Sequence, residues 1–158
     1  MTIKAQDVKA LREKTGLGMM ECKKALQEAD GNLDDAIKNL RKSSALKAEK
    51  KASRTAVEGV ILSKLSDKEI IFVEVNCETD FVAKDENFVS FCNETLNTAI
   101  EHSSKKDHLD EVSKSMEDQR MSLVQKIGEN IIIRKIEKVS GDILESYIHS
   151  NNKILPLL

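Results

Sequence analysis

The stretch VEGVILSKLSDKEIIFVEVNC, residues 57–77, decides the fold class. Its two runs, 57–65 and 69–77, are rich in branched residues. Ser66-Asp67-Lys68 joins them, a polar link of hairpin length, so the segment reads as a β-hairpin. Upstream the apolar period is different. Val8 and Leu11, then Cys22, Ala25, Leu26 and Ala29, then Leu33, Ala36, Ile37 and Leu40 fall three and four apart, which predicts three amphipathic helices. A chain that opens on helices and then turns to paired strands is α+β.

The helical joints carry their own punctuation. Thr15-Gly16-Leu17-Gly18 breaks the first helix from the second, and Asp30-Gly31 ends the second. Asn32 is placed to cap the third, with Asp34 and Asp35 in the first turn where the helix dipole favours them. Isolated helices this short are marginal in water, so the three must bury one another's stripes as a bundle over residues 1–42. Residues 43–55 are rich in Lys, Ala and Ser and read as the tail of the third helix becoming a basic linker. Lys47, Lys50, Lys51 and Arg54 could touch RNA there, against the plainer reading of a solvated helix end with cations near its C-terminal dipole.

Downstream of the hairpin, a helix following Thr79 carries Phe88, Phe91, Cys92, Thr95, Leu96 and Ala99 on one face. A second carries Leu109, Val112, Met116, Leu123, Val124 and Ile127. Gly128-Glu129-Asn130 breaks that helix, and strand character returns over 131–139. A Ser140-Gly141-Asp142 turn then leads into a further predicted strand over 143–149. Residues 56–150 thus form an α+β core with a hairpin, two helices and further strands. The remaining tail, 151–158, contains Pro156, which cannot donate to a sheet ladder.

Composition narrows the function classes. With 158 residues and 40% hydrophobic content, the chain can bury roughly 70% of the surface its unfolded form exposes. Aromatic residues make up 3%, with no Trp and one Tyr, so stacking platforms for single-stranded nucleic acid are scarce. A net charge of −2 provides no overall field for a polyanion or a membrane surface. Cys22, Cys77 and Cys92 are odd in number and far apart, which suggests neither a disulfide framework nor a zinc cluster and fits a reducing cytoplasm. No run is long enough to span a bilayer, and the N-terminus lacks a signal-peptide pattern.

A search for enzyme chemistry yields nothing of substance. His102 and His108 lie in a polar joint and are too far apart for adjacent helical turns, which disfavours a metal or catalytic role. Gly16-Leu17-Gly18 has Glu21 where a dinucleotide fingerprint needs its third glycine, and no strand precedes it. There is no phosphate-cradling loop ending in Lys-Ser or Lys-Thr, so direct nucleotide binding is not expected. The sequence calls for no cofactor and points away from an enzyme.

Two places break the local rules. Met19 and Met20 stand side by side at the start of the second helix, and one helix face cannot fully bury two consecutive residues. One of them is expected to be exposed, a flexible and polarisable contact group with Arg12 as a charged rim, unless both cap the bundle core. The second is Thr79-Asp80-Phe81-Val82, where strand gives way to helix. Thr79 or Asp80 can cap that helix. Phe81 is either an exposed anchor at a stiff corner or a hydrophobic staple packed on the hairpin.

These residues make the chain resemble elongation factor Ts, the exchange factor for the bacterial and organellar GTPase elongation factor Tu. The resemblance runs through LREKTGLGMMECKKA (11–25), KAEKKASR (47–54), EVNCETDFVAKDENF (74–88), KIGENIIIRK (126–135) and GDILESYIH (141–149). It implies a translation factor that binds elongation factor Tu in its GDP-bound and nucleotide-free forms and needs no cofactor. It also implies a ubiquitin-associated-like N-terminal bundle that docks through Arg12, Met19 and Met20. By the same resemblance Thr79, Asp80, Phe81 and Val82 form the motif that intrudes beside the partner's magnesium site, and Ile127, Gly128 and His149 make further contacts. Family members continue past His149 with a second core half. The shortened C-terminus therefore suggests weak binding, a homodimer or a fragment. The residues also admit two rival readings, a ubiquitin-associated-type adaptor and an RNA-binding module working through Lys47, Lys50, Lys51 and Arg54.

Overall fold

The computed structural model describes residues 3–65, 68–104 and 108–145. Among them the chain forms five α-helices, one 3-10 turn and a three-stranded antiparallel sheet, so the architecture is α+β as the change of period predicts. The chain divides into two compact units, Met1–Ser53 with Met121–Glu129, and Arg54–Arg120 with Asn130–Leu158. No helix among the described residues is long and apolar enough to cross a membrane.

The first unit holds α1 (Ala5–Thr15), α2 (Met19–Glu28) and α3 (Leu33–Lys51). Its core is Val8, Leu11, Leu17, Cys22, Ala25, Leu26, Ala36 and Leu40, close to the predicted stripes. Leu17 is the addition. It sits in the α1–α2 link rather than on a helix, yet it is buried, so the link is pinned by its own side chain. Gly16 closes α1 in the left-handed region at φ 67°, and its N–H donates to the Arg12 carbonyl at 2.8 Å, the conformation for which glycine carries no Cβ penalty. Asn32 caps α3 as expected, its side chain accepting from the Asp34 and Asp35 N–H groups at 3.0 and 3.2 Å. Truncating a fully buried side chain such as Leu26 would cost about 2–5 kcal/mol.

The second unit is built on the sheet, in the order β1 (Glu58–Leu65), β2 (Glu69–Cys77), β3 (Ile132–Ser140). On β2 the alternation of the pleat puts Ile71, Val73, Val75 and Cys77 on one face, all buried. The helix α4 (Glu86–Glu101) packs on β1 and β2, burying Phe88, Phe91, Cys92, Thr95, Leu96 and Ala99. The last helix, α5 (His108–Ile127), begins in this unit. It meets α4 where the Thr98 hydroxyl approaches the Met116 sulfur at 3.4 Å.

Gly59 cannot be replaced without moving the sheet, because a Cβ there would lie 2.1 Å from the Val75 carbonyl oxygen and φ is 149°. A bulge opposite Glu74 and Val75 leaves Arg134 outside the β2–β3 register. Its guanidinium donates to the Asn76 side-chain oxygen and, at 3.0 Å, to the Ala56 carbonyl. The extra residue therefore re-aims a side chain that laces the entry of β1 to β3.

Three expectations need correction. The helix after Thr79 is not capped by Thr79 or Asp80. A 3-10 turn, Val82–Lys84, comes first, and Asp85 then takes an extended conformation and caps α4 by accepting from the Asn87 and Phe88 N–H groups at 2.9 and 3.2 Å. The first strand starts at Glu58 and leaves Val57 exposed. The predicted strand over 143–149 is not seen in residues 143–145, which form a bend and irregular chain, while 146–149 and the 151–158 tail lie outside the described residues. β3 is thus the one further strand among the described residues.

Candidate functional site

The corner between β2 and α4 is short and heavily bonded. The Thr79 carbonyl accepts from the Ala83 N–H at 3.2 Å and from the buried Cys77 thiol at 3.2 Å. The Thr79 hydroxyl faces the Val82 N–H at 3.4 Å, and the Phe81 carbonyl accepts from the Lys84 N–H at 3.2 Å. Phe81 itself is 81% exposed. Because the 3-10 turn and the extended Asp85 interrupt the chain before α4 begins, Phe81 does not share the face that buries Phe88, and the staple reading falls. Asp80 is exposed as well, with the Lys84 ammonium 3.5 Å from its carboxylate. The result is an aromatic ring in water on a backbone that its own hydrogen bonds hold in place.

In the first unit Met19 and Met20 open α2 and are 57% and 76% exposed. The expectation was that one would be exposed, and both are. The reason is positional: Leu17 and Cys22, on either side of the pair, already fill the core there, so neither methionine is needed inside. Arg12 is exposed in the last turn of α1. Ile127 is half-buried at the end of α5, and Gly128 follows in the left-handed region at φ 88° with its N–H donating to the Val124 carbonyl at 2.9 Å. Among the described residues nothing beyond the adjoining chain lies within 4 Å of a Cβ placed on Gly128, so that glycine answers to backbone conformation and not to crowding.

Directly after the methionines in the chain, Glu21 enters a polar cluster that the sequence did not reveal. One Glu21 carboxylate oxygen accepts from Lys47 Nζ at 2.8 Å and from Gln125 Nε2 at 3.1 Å. The Ser44 hydroxyl stands in hydrogen-bond reach of Gln125 Oε1 and of the Leu40 carbonyl. The Lys47 hydrogen bond holds the Glu21 carboxyl below its ordinary range, helped by Gln125, the Lys47 charge and the Gly18 backbone, and opposed by partial burial. These partners stand 26 and 104 positions away in the chain, beyond the reach of any local pattern.

Of the predicted contact residues, the structure brings Arg12, Met19, Met20, Ile127 and Gly128 into the first unit and Thr79, Asp80, Phe81 and Val82 into the second. His149 lies outside the described residues. Of the basic linker side chains, Lys47 is held by Glu21 and Arg54 lies 3.6 Å from Glu78, so half of the proposed RNA-binding cluster is engaged internally. Among the described residues no three His, Cys, Asp or Glu side chains converge as a metal site. Cys22, Cys77 and Cys92 are buried and unbridged, and burial, then the neighbouring Cys77, pushes the Cys92 thiol far up, away from thiolate chemistry.

The corner lies inside the stretch matched by a family model. The family model for elongation factor TS matches residues 78–158, starting next to the corner. An elongation factor Ts from Marinobacter nauticus is 57% identical over 154 residues, covering 96% of this chain and 53% of the relative. The chain belongs to the elongation factor Ts family. The elongation factor Ts of Hahella chejuensis is 49% identical over 158 residues, 99% of this chain and 55% of its own length, and that of Teredinibacter turnerae is 52% identical over 159 residues, 98% and 54%. This chain spans about half the length of these elongation factor Ts relatives.

Proposed function

We propose that the chain is a translation elongation factor that binds elongation factor Tu and promotes GDP release, so that GTP can reload. In this reading it acts on the partner's nucleotide site without bond chemistry of its own. The single observation that carries the reading is Phe81, 81% exposed on a corner whose backbone is fixed by its own hydrogen bonds. Magnesium demands near-ideal octahedral coordination, so a small displacement of the loops that hold it weakens phosphate binding sharply. A rigid aromatic wedge meets that need, with Thr79, Asp80 and Val82 fixing its base.

The bundle over residues 1–42 docks on the GTPase through Arg12, Met19 and Met20, with Ile127, Gly128 and His149 adding contacts to the same partner. The core over 56–150 supplies the wedge, and 43–55 links the two. Coupling is reciprocal, so the factor binds the empty partner more tightly than the GDP-bound one by the ratio in which it loosens GDP. Rebinding of nucleotide then releases it.

The test is stopped-flow release of a fluorescent GDP analogue from elongation factor Tu. Acceleration by the wild-type chain, lost in Phe81→Ala while the fold is retained, supports the proposal. Release at the uncatalysed rate with a folded wild-type chain overturns it.

A further inference from the structure

We propose that Glu21 is a positioning residue that holds the start of α2 and the end of α5 together as one docking surface, without itself touching the partner. The inference deepens the reading above and rests on it for the identity of the partner. Glu21 follows the exposed Met19–Met20 pair directly, and Gln125 stands two residues before Ile127. The bond between them, 3.1 Å, therefore couples the first turn of α2 to the last turn of α5. Lys47 fixes the same carboxylate oxygen from α3 at 2.8 Å, and Ser44, one helical turn before Lys47, engages the other end of the Gln125 amide.

The cluster is half-buried and joins three helices. The Glu21 carboxylate and the Ser44 hydroxyl stand at the two ends of the Gln125 amide, the single Ser44 proton being shared with the Leu40 carbonyl, and the carboxylate stays ionised at neutral pH. Moving α5 by one hydrogen-bond length would break the contacts at both ends of the amide at once, so the two helix ends are coupled through it. Shared partners make these residues a unit whose members are not energetically independent.

The consequence is a surface made from residues about a hundred positions apart, flexible in its methionine side chains and fixed in its backbone spacing. Removing Glu21 would leave each contact residue in place chemically and let the two patches lose their mutual register. Residues that act on binding without ligand contact typically shift it severalfold.

The experiment has a partner-dependent and a partner-free arm. In the first, Glu21→Ala is expected to weaken the affinity for elongation factor Tu about fivefold and to leave the maximal rate of GDP release at saturation unchanged, because the wedge residue is not altered. The charge-swapped pair Glu21→Lys with Lys47→Glu restores the affinity, since the Gln125 amide can turn over to serve the exchanged charges. A swap as weak as Glu21→Ala, or a Glu21→Ala chain that binds like wild type, overturns the proposal.

In the second arm, hydrogen exchange of the Val124–Gly128 amides is compared between wild type and Glu21→Ala without the partner. Faster exchange confined to this segment, with the Leu11 and Leu26 amides still protected, supports the positioning role; unchanged protection overturns it. If the wild-type chain fails to accelerate GDP release, the functional reading falls, and the exchange pattern still decides whether Glu21 tethers α5.

Discussion

The two exposed apolar sites differ in what lies behind them. Met19 and Met20 sit on a helix face whose core positions are already filled, so their long side chains project freely from a regular backbone. Phe81 projects from a corner where the Thr79 and Phe81 carbonyls and the Val82 and Lys84 N–H groups are all engaged within six residues. An unbranched thioether adapts to its partner, whereas a ring with two rotatable bonds on fixed backbone imposes its shape. One site is suited to finding and holding a surface, the other to deforming it.

The largest effect expected from this contrast is on Phe81. Phe81→Ala should slow catalysed GDP release at least about tenfold, as truncation of a buried interface anchor does. Because the ring touches solvent in the free chain, unfolding stability should move by no more than about 0.5 kcal/mol. Denaturant melts beside stopped-flow traces check both. A large stability loss with intact exchange would make the corner a piece of the fold and erase the difference between the two sites.

Met20→Ala comes next. It should weaken the complex about fivefold, close to 1 kcal/mol for a partly buried contact, and leave the melting temperature unchanged. Met20→Leu should be almost neutral, because an adaptive contact tolerates a shape change of similar volume. Titration calorimetry with the GTPase reads both variants. A Met20→Leu loss as large as that of Met20→Ala would show that the methionine site is as shape-specific as the corner.

The legible and illegible parts of the molecule divide along similar lines. The bundle stripes, the Asn32 cap and the hairpin were readable because each depends on residues within a turn or a strand of one another. The start of α4 was misplaced because Thr79, Asp80 and Asp85 are all competent caps, and the choice of Asp85 follows from tertiary packing of Phe88 that a local pattern cannot rank. Exposure of both methionines follows from Leu17, a loop residue whose burial has no periodic signal. Glu21 was legible in the sequence only as the residue that stands where a dinucleotide fingerprint needs its third glycine, and its partners on α3 and α5 could not be seen without the fold.

The smallest effect tests whether the stiffness of the corner resides in its side chains or its backbone. The Thr79 hydroxyl meets the Val82 N–H at 3.4 Å in an exposed setting, a geometry worth at most about 0.5–1 kcal/mol. Thr79→Val preserves the branched shape and removes the hydroxyl. Catalysed GDP release should therefore slow about twofold, with affinity unchanged, since the bonds to the Thr79 carbonyl survive. A loss rivalling Phe81→Ala would mean the hydroxyl itself meets the partner. No change at all would assign the rigidity to the backbone bonds alone, the stronger form of the contrast with the methionine pair, where no comparable bracing of the side chains exists and none is needed.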